Sequence, residues 1–172
     1  MKKISFLVLI ILSLSCSKND PCEGADCLPA LTIIGKGTIA CLIDGKGFQP
    51  GGSQFAGPTQ QAFYQFLDGG YYFGLSANHR NSKTSINIAL RNQEIEEGEV
   101  YQLNVDKEDS NFGESVYNLS YYQTNQIHTG EIYFVKFDDI NGIVSGTFWF
   151  DAINEDGDIV EVREGRFDMK YY

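Results

Sequence analysis

Residues 84–91, TSINIALR, alternate in polarity: Ile86, Ile88 and Leu90 share one side, while Ser85, Asn87 and Arg91 lie opposite. A period of two marks a strand with one buried face. Similar runs recur from Gly37 to the C-terminus. GTIACLI leads into the hairpin dipeptide Asp44-Gly45, and QAFYQFL and YYFGLSA flank Asp68-Gly69-Gly70. EVYQLNV sets Val100 and Gln102 against Tyr101 and Leu103, and SVYNLSYY reads as one run that groups Tyr117, Leu119 and Tyr121. EIYFVKF is apolar on both faces, as a central strand is, and Asn141-Gly142 opens a hairpin into IVSGTFWFDAI. No segment sustains an apolar period of 3.6, and NQEIEEGEV has room for one helical turn and no more. Short strands joined by Gly-bearing turns predict an all-β antiparallel sandwich or flattened barrel of about eight to ten strands.

The last hairpin permits a register. FWFDAINEDGDIVEV turns at Glu155-Asp156-Gly157, and burying Phe148 and Phe150 with Val160 and Val162 sets Phe150 against Val162. Trp149 then points outward opposite Arg163, within stacking reach. Phe167 and Met169 can also face inward only if the phase slips, which predicts a bulge at Glu164-Gly165.

The N-terminus follows a different rule. Met1-Lys2-Lys3 is cationic and Ile4 to Leu14 is apolar apart from Ser5 and Ser13. This is a leader-length hydrophobic run, too short to span a bilayer. Ser13, Leu14 and Ser15 then precede Cys16. The arrangement resembles a bacterial lipoprotein signal, with Ser13 where the usual pattern has an aliphatic residue. The resemblance implies cleavage after residue 15 and lipidation of Cys16, which buries many methylenes in the bilayer. Residues 16–36, rich in Pro, Gly, Asp and Ser, read as the lipidated cysteine and its tether, and 37–172 as a single β domain. The expected partner is therefore a membrane, reached through lipid. The expected location is the cell envelope at the outer membrane, on its periplasmic or surface face.

Charge removes one class of partner. The chain carries a formal −10, and the leader takes away two lysines but no acid. Such a body repels nucleic acid, so no nucleic-acid binding is expected. Of the remaining cysteines, Cys22 and Cys27 close a small loop suited to a disulfide, with Cys27–Cys41 as the competitor. Cys41 itself sits in a strand-like run, as a buried thiol would.

Catalytic and metal motifs fail on inspection. Aligning Gly157 to the glycine of a calcium loop puts Ala152 and Arg163 at the first and last ligand positions, so no metal is expected. No Gly-x-Ser-x-Gly elbow occurs, and the adjacent pairs Glu96-Glu97 and Asp138-Asp139 would point to opposite faces of a strand. His79 and His128 fall in polar segments and read as solvated loop residues. No cofactor is expected. Outward aromatics remain: Trp149 with Arg163, Tyr72 and Tyr122 form the candidate ligand platform. Flat aromatic faces suit sugar rings, so the expected function is a non-catalytic binding or structural module for a glycan or an envelope protein. The alternative is a glycan-acting hydrolase or an accessory subunit of a polysaccharide-handling complex.

Two further stretches carry a resemblance. LPALTIIGKGTIACLIDGK and GTFWFDAINEDGDIVEVREGRFDMKY resemble the two ends of a family of uncharacterised Bacteroidota lipoproteins. That family shows Leu-Pro-x-x-Thr-x-x-Gly, then Gly-Cys-x-x-Asn/Asp-Gly-Lys, and closes on Gly-Arg-Phe-Asp-x-Lys-Tyr. This chain departs at Ile33, where a polar residue is usual, and at Ala40, which replaces the glycine before Cys41. The resemblance implies an all-β lipoprotein and brings no activity or catalytic residues.

Overall fold

The computed structural model describes residues 24–55 and 57–172. It is built from antiparallel strands, with one short 3-10 turn at Ala25–Cys27. The strands are β1 (Thr38–Ile43), β2 (Lys46–Phe48), β3 (Gln60–Leu67), β4 (Gly70–His79), β5 (Thr84–Arg91), β6 (Val100–Leu103), β7 (Phe112–Tyr117), β8 (Ser120–Gln123), β9 (Gly130–Asp138), β10 (Ile143–Ile153) and β11 (Ile159–Lys170). They form one sheet in the order β2-β1-β11-β10-β8-β7-β5-β4-β3, with β9 added to β10 and β6 to β9. The sheet curls until β3 returns to the end of β11. There Ala62 bridges Tyr171, and the Tyr64 amide donates to the Tyr172 carbonyl at 3.2 Å. These two contacts fall short of a full ladder, so the barrel is flattened and open at a seam.

The alternation read from the sequence explains the core. Ile86, Ile88 and Leu90 of β5, Phe148 and Phe150 of β10, Val160 and Val162 of β11, and Phe167 and Met169 beyond them all join one buried cluster. Phe73, Phe134 and Phe167 meet there at edge or tilted angles, with centroids 5.2–6.4 Å apart. Such angles let the positive edge of one ring meet the negative face of another.

Two details of the strand prediction change. SVYNLSYY is a hairpin, not one strand. Asn118 (φ 50°) and Leu119 (φ 66°) make a tight two-residue turn between β7 and β8, so eleven strands form where eight to ten were expected. In the last hairpin Phe150 does pair with Val162, and the register slips before Phe148 meets Gly165. The bulge therefore spans Arg163 and Glu164, one residue earlier than expected, and Glu164 takes the positive φ of 53°. Gly165 is needed for room instead: a Cβ there would lie 2.4 Å from the Phe148 ring.

Residues 24–36, read from composition as tether, lie against the sheet. Leu28 buries beside Ala40 and Leu42 on the outer side of β1. The fastening is Asp168, an outward position of β11 that this segment covers completely, leaving it 0% exposed. Its carboxylate accepts from Thr32 Oγ1, from the amides of Ile34 (3.2 Å), Gly35 (2.7 Å) and Lys36 (3.1 Å), and from Ser145 Oγ (2.7 Å). The turn that aims three successive amides at one group uses Gly35 at φ +70°. Burial alone would raise the pKa of this carboxyl, but donation from Thr32, Ser145, Lys36 and Gly35 outweighs it, and the pKa lies below its ordinary value.

Asp168→Asn is expected to cost about 3 kcal/mol or more in denaturant unfolding, since an amide turns an N–H toward donors and leaves them unpaired. The pH dependence follows from the lowered pKa. The contribution of Asp168 is whole above the ordinary carboxylate range and is lost as pH falls through its depressed value. Unfolding midpoints measured from pH 6 down to pH 2 should therefore fall more steeply for the natural chain than for Asp168→Asn.

Candidate functional site

Outward positions of β6, β9, β10 and β11 line up in rows. One row runs Gln102, Glu131, Trp149 and then the bulge at Arg163-Glu164. The next runs Val100, Tyr133, Thr147 and Arg166. Between them opens a groove of about 460 Å³, walled on one side by Leu31 from the segment that Asp168 holds down. Trp149 is 37% exposed and Tyr133 38%, so both rings present area to solvent.

Every polar group around the indole is positioned. The Trp149 Nε1–H donates to Glu131 Oε2 at 3.3 Å, and Gln102 Nε2 holds the other oxygen of Glu131 at 2.9 Å. The Arg163 guanidinium lies 5.5 Å from the Trp149 ring centroid, a cation–π distance. It donates to the carbonyls of Phe150 (3.1 Å) and Val162 (3.0 Å), and pairs with Asp151 at 2.5 Å and Glu161 at 3.6 Å. The bulge is what allows this. By inserting Glu164 it aims Arg163 along the outer face toward the ring. Arg166 closes the rim, paired with Glu164 at 3.1 Å and donating to the Pro29 carbonyl at 3.4 Å. The charged residues that line the groove, Glu131 and Glu164 with Arg163 and Arg166, balance in formal charge.

The structure brings together only half of the expected platform. Trp149 and Arg163 meet on the outer face as read from the register. Tyr122 does not join them: it is 7% exposed and belongs to the core, because the unrecognised turn at Asn118-Leu119 reverses the phase of β8 and leaves Tyr121 outside. Tyr72 is half-buried on β4, separated from β10 by β5, β7 and β8. Glu131 and Tyr133 were missed because EIYFVKF was read as apolar on both faces. Cys27 is disulfide-bonded, whereas Cys41 is a buried free thiol, so the Cys27–Cys41 alternative does not form. The Cys22 end of the expected bridge, and Cys16, lie outside the described residues.

A second concavity lies at one end of the sheet. His79, expected in a solvated loop, is the last residue of β4 and lines a cavity of about 500 Å³. Its Nδ1 lies 2.9 Å from Ser82 Oγ and accepts the Ser82 amide at 3.3 Å. His128 stays in a loop, its Nδ1 buried and without a partner among the described residues.

The fold places the chain among all-β antiparallel proteins with one curled sheet. Within that class it belongs to the family described as a domain of unknown function (DUF6252), whose model matches residues 59–169. The match runs from the start of β3 to the end of β11, while β1, β2 and the clasped segment precede it. No curated protein and no solved structure matches the chain.

Trp149 is the single tryptophan of the chain, so its emission reports on the groove alone. Arg163→Ala should shift that emission to longer wavelength as water replaces the guanidinium. The stability loss should be about 1 kcal/mol or less, because the cation is partly exposed. An unchanged spectrum would mean that Arg163 does not sit on the indole in solution.

Proposed function

We propose that the protein is a lipid-anchored, non-catalytic module of the bacterial cell envelope that binds neutral glycan in the Trp149 groove. The observation that carries the binding half is the groove itself: two exposed aromatic faces beside a carboxylate and guanidinium groups whose positions are fixed by their own hydrogen bonds. Sugar rings offer apolar C–H faces to aromatic rings and hydroxyls to such polar groups. A neutral ligand carries no charge for the acidic protein to repel. The anchoring half rests on the sequence, where Lys2-Lys3, an apolar run and Cys16 follow in order, and on the likeness to Bacteroidota lipoproteins. Outer-membrane placement belongs to the same reading.

Hydrolysis is the second reading, and one observation favours it: a serine hydroxyl beside an imidazole, His79 with Ser82. The two residues are three apart in one turn, and Ser82 Oγ also lies 3.3 Å from the His79 carbonyl, so turn geometry accounts for the approach. Labelling by a fluorophosphonate that disappears in Ser82→Ala would establish the hydrolase and displace the binding reading.

The binding reading is tested by pull-down on a panel of insoluble and soluble neutral polysaccharides, with Trp149 emission as a second readout. Retention by at least one glycan is expected, falling about tenfold or more in Trp149→Ala, as for removal of a central aromatic anchor. Equal retention by the variant, or none by either, removes the glycan reading. Mass spectrometry of protein from its native host should show Cys16 as an acylated first residue, and an intact leader would remove the anchor.

A further inference from the structure

The cavity at the end of the sheet differs from the rest of this acidic molecule in the chemistry it presents. Three hairpins meet there: β1–β2, β4–β5 and β7–β8. Each sends inward-facing residues to the rim. Ile43 and Lys46 are paired across the first, His79 and Thr84 across the second, and Tyr117 closes β7. Phe48 and Ile43 supply an apolar floor continuous with the core. Among the described residues no carboxylate lines the cavity.

Three polar groups of the cavity, on Lys46, Tyr117 and His79, can donate. Lys46 Nζ makes no ion pair among the described residues and lies 3.4 Å from Tyr117 Oη. A lysine can only donate, so the tyrosine oxygen accepts and its own hydrogen is left to give. The Ser82 amide likewise can only donate to His79 Nδ1, so Nε2 carries the imidazole proton. An ammonium, a phenol and an imidazole thus line one cavity that no carboxylate of the described residues shares.

We infer that this mouth binds a small organic monocarboxylate with an apolar body, its carboxylate held by Lys46, Tyr117 and His79 and its body resting on Phe48 and Ile43. Lys46, the one cation among the described residues lining the cavity, offsets one negative charge, whereas a phosphate dianion would bring a second, unmatched charge into a chain of formal charge −10. The volume of about 500 Å³ lies within the usual range for small-ligand sites. This site is separate from the Trp149 groove and does not depend on the glycan reading.

The test is isothermal titration of the full chain with octanoate and, in parallel, with octanamide, which keeps the shape and loses the charge. Octanoate should bind about tenfold or more tightly than octanamide, since hydrogen bonds to a charged group are roughly twice as strong as neutral ones. Lys46→Gln should abolish that preference, and Tyr117→Phe, which keeps the ring, should weaken octanoate alone. Trp149→Ala should leave octanoate binding unchanged, so failure here and failure of the glycan reading are distinguishable. Equal binding of the two probes, absence of octanoate binding at millimolar concentration, or retained preference in Lys46→Gln would each overturn the assignment.

Discussion

One buried carboxylate fixes the segment that walls the Trp149 groove. Asp168 sits on the outer side of a central strand, where an acidic side chain would ordinarily face water. A short segment from far away in sequence folds over it and satisfies it with a hydroxyl and three amides, while Ser145 approaches from the neighbouring strand. A buried anion without such partners would be strongly unfavourable, so the two sides require each other. The consequence reaches the surface. The same segment delivers Leu31 to the wall of the Trp149 groove and the Pro29 carbonyl to Arg166 on its rim.

Two motifs near the ends of the chain have a physical relation here. Leu-Pro-x-x-Thr-x-x-Gly supplies Thr32 and Gly35, and Gly-Arg-Phe-Asp supplies Gly165, Arg166 and Asp168. The two motifs are halves of one contact, 136 residues apart at Thr32 and Asp168. Each was visible in the sequence, but their relation was not. Nothing local in either half indicates the register of β11 or the hydrogen-bonding need of an aspartate on its outer side.

Local alternation made the core legible, because a period of two with one buried face has only one phase. Phe148, Phe150, Val160 and Val162 follow it without exception. The reading weakened where backbone conformation departed from glycine. Asn118-Leu119 turns tightly without a glycine, and missing that turn sent Tyr122 to the wrong face. Glu164 takes the left-handed conformation although Gly165 lies beside it, and Gly165 instead makes room for the Phe148 ring. Functional geometry was least legible of all. Trp149 and Arg163 came from one hairpin and could be paired from sequence, whereas the mouth draws on three hairpins whose convergence only the curl of the sheet creates.

The wall of the groove therefore depends on Asp168 holding residues 32–36 against the sheet in solution. Amide hydrogen exchange near neutral pH measures this directly. The amides of Ile34, Gly35 and Lys36 should exchange as slowly as those of the β10–β11 ladder, far below the rate of an exposed turn. Exchange of these three at the unprotected rate, with the ladder still protected, would contradict it.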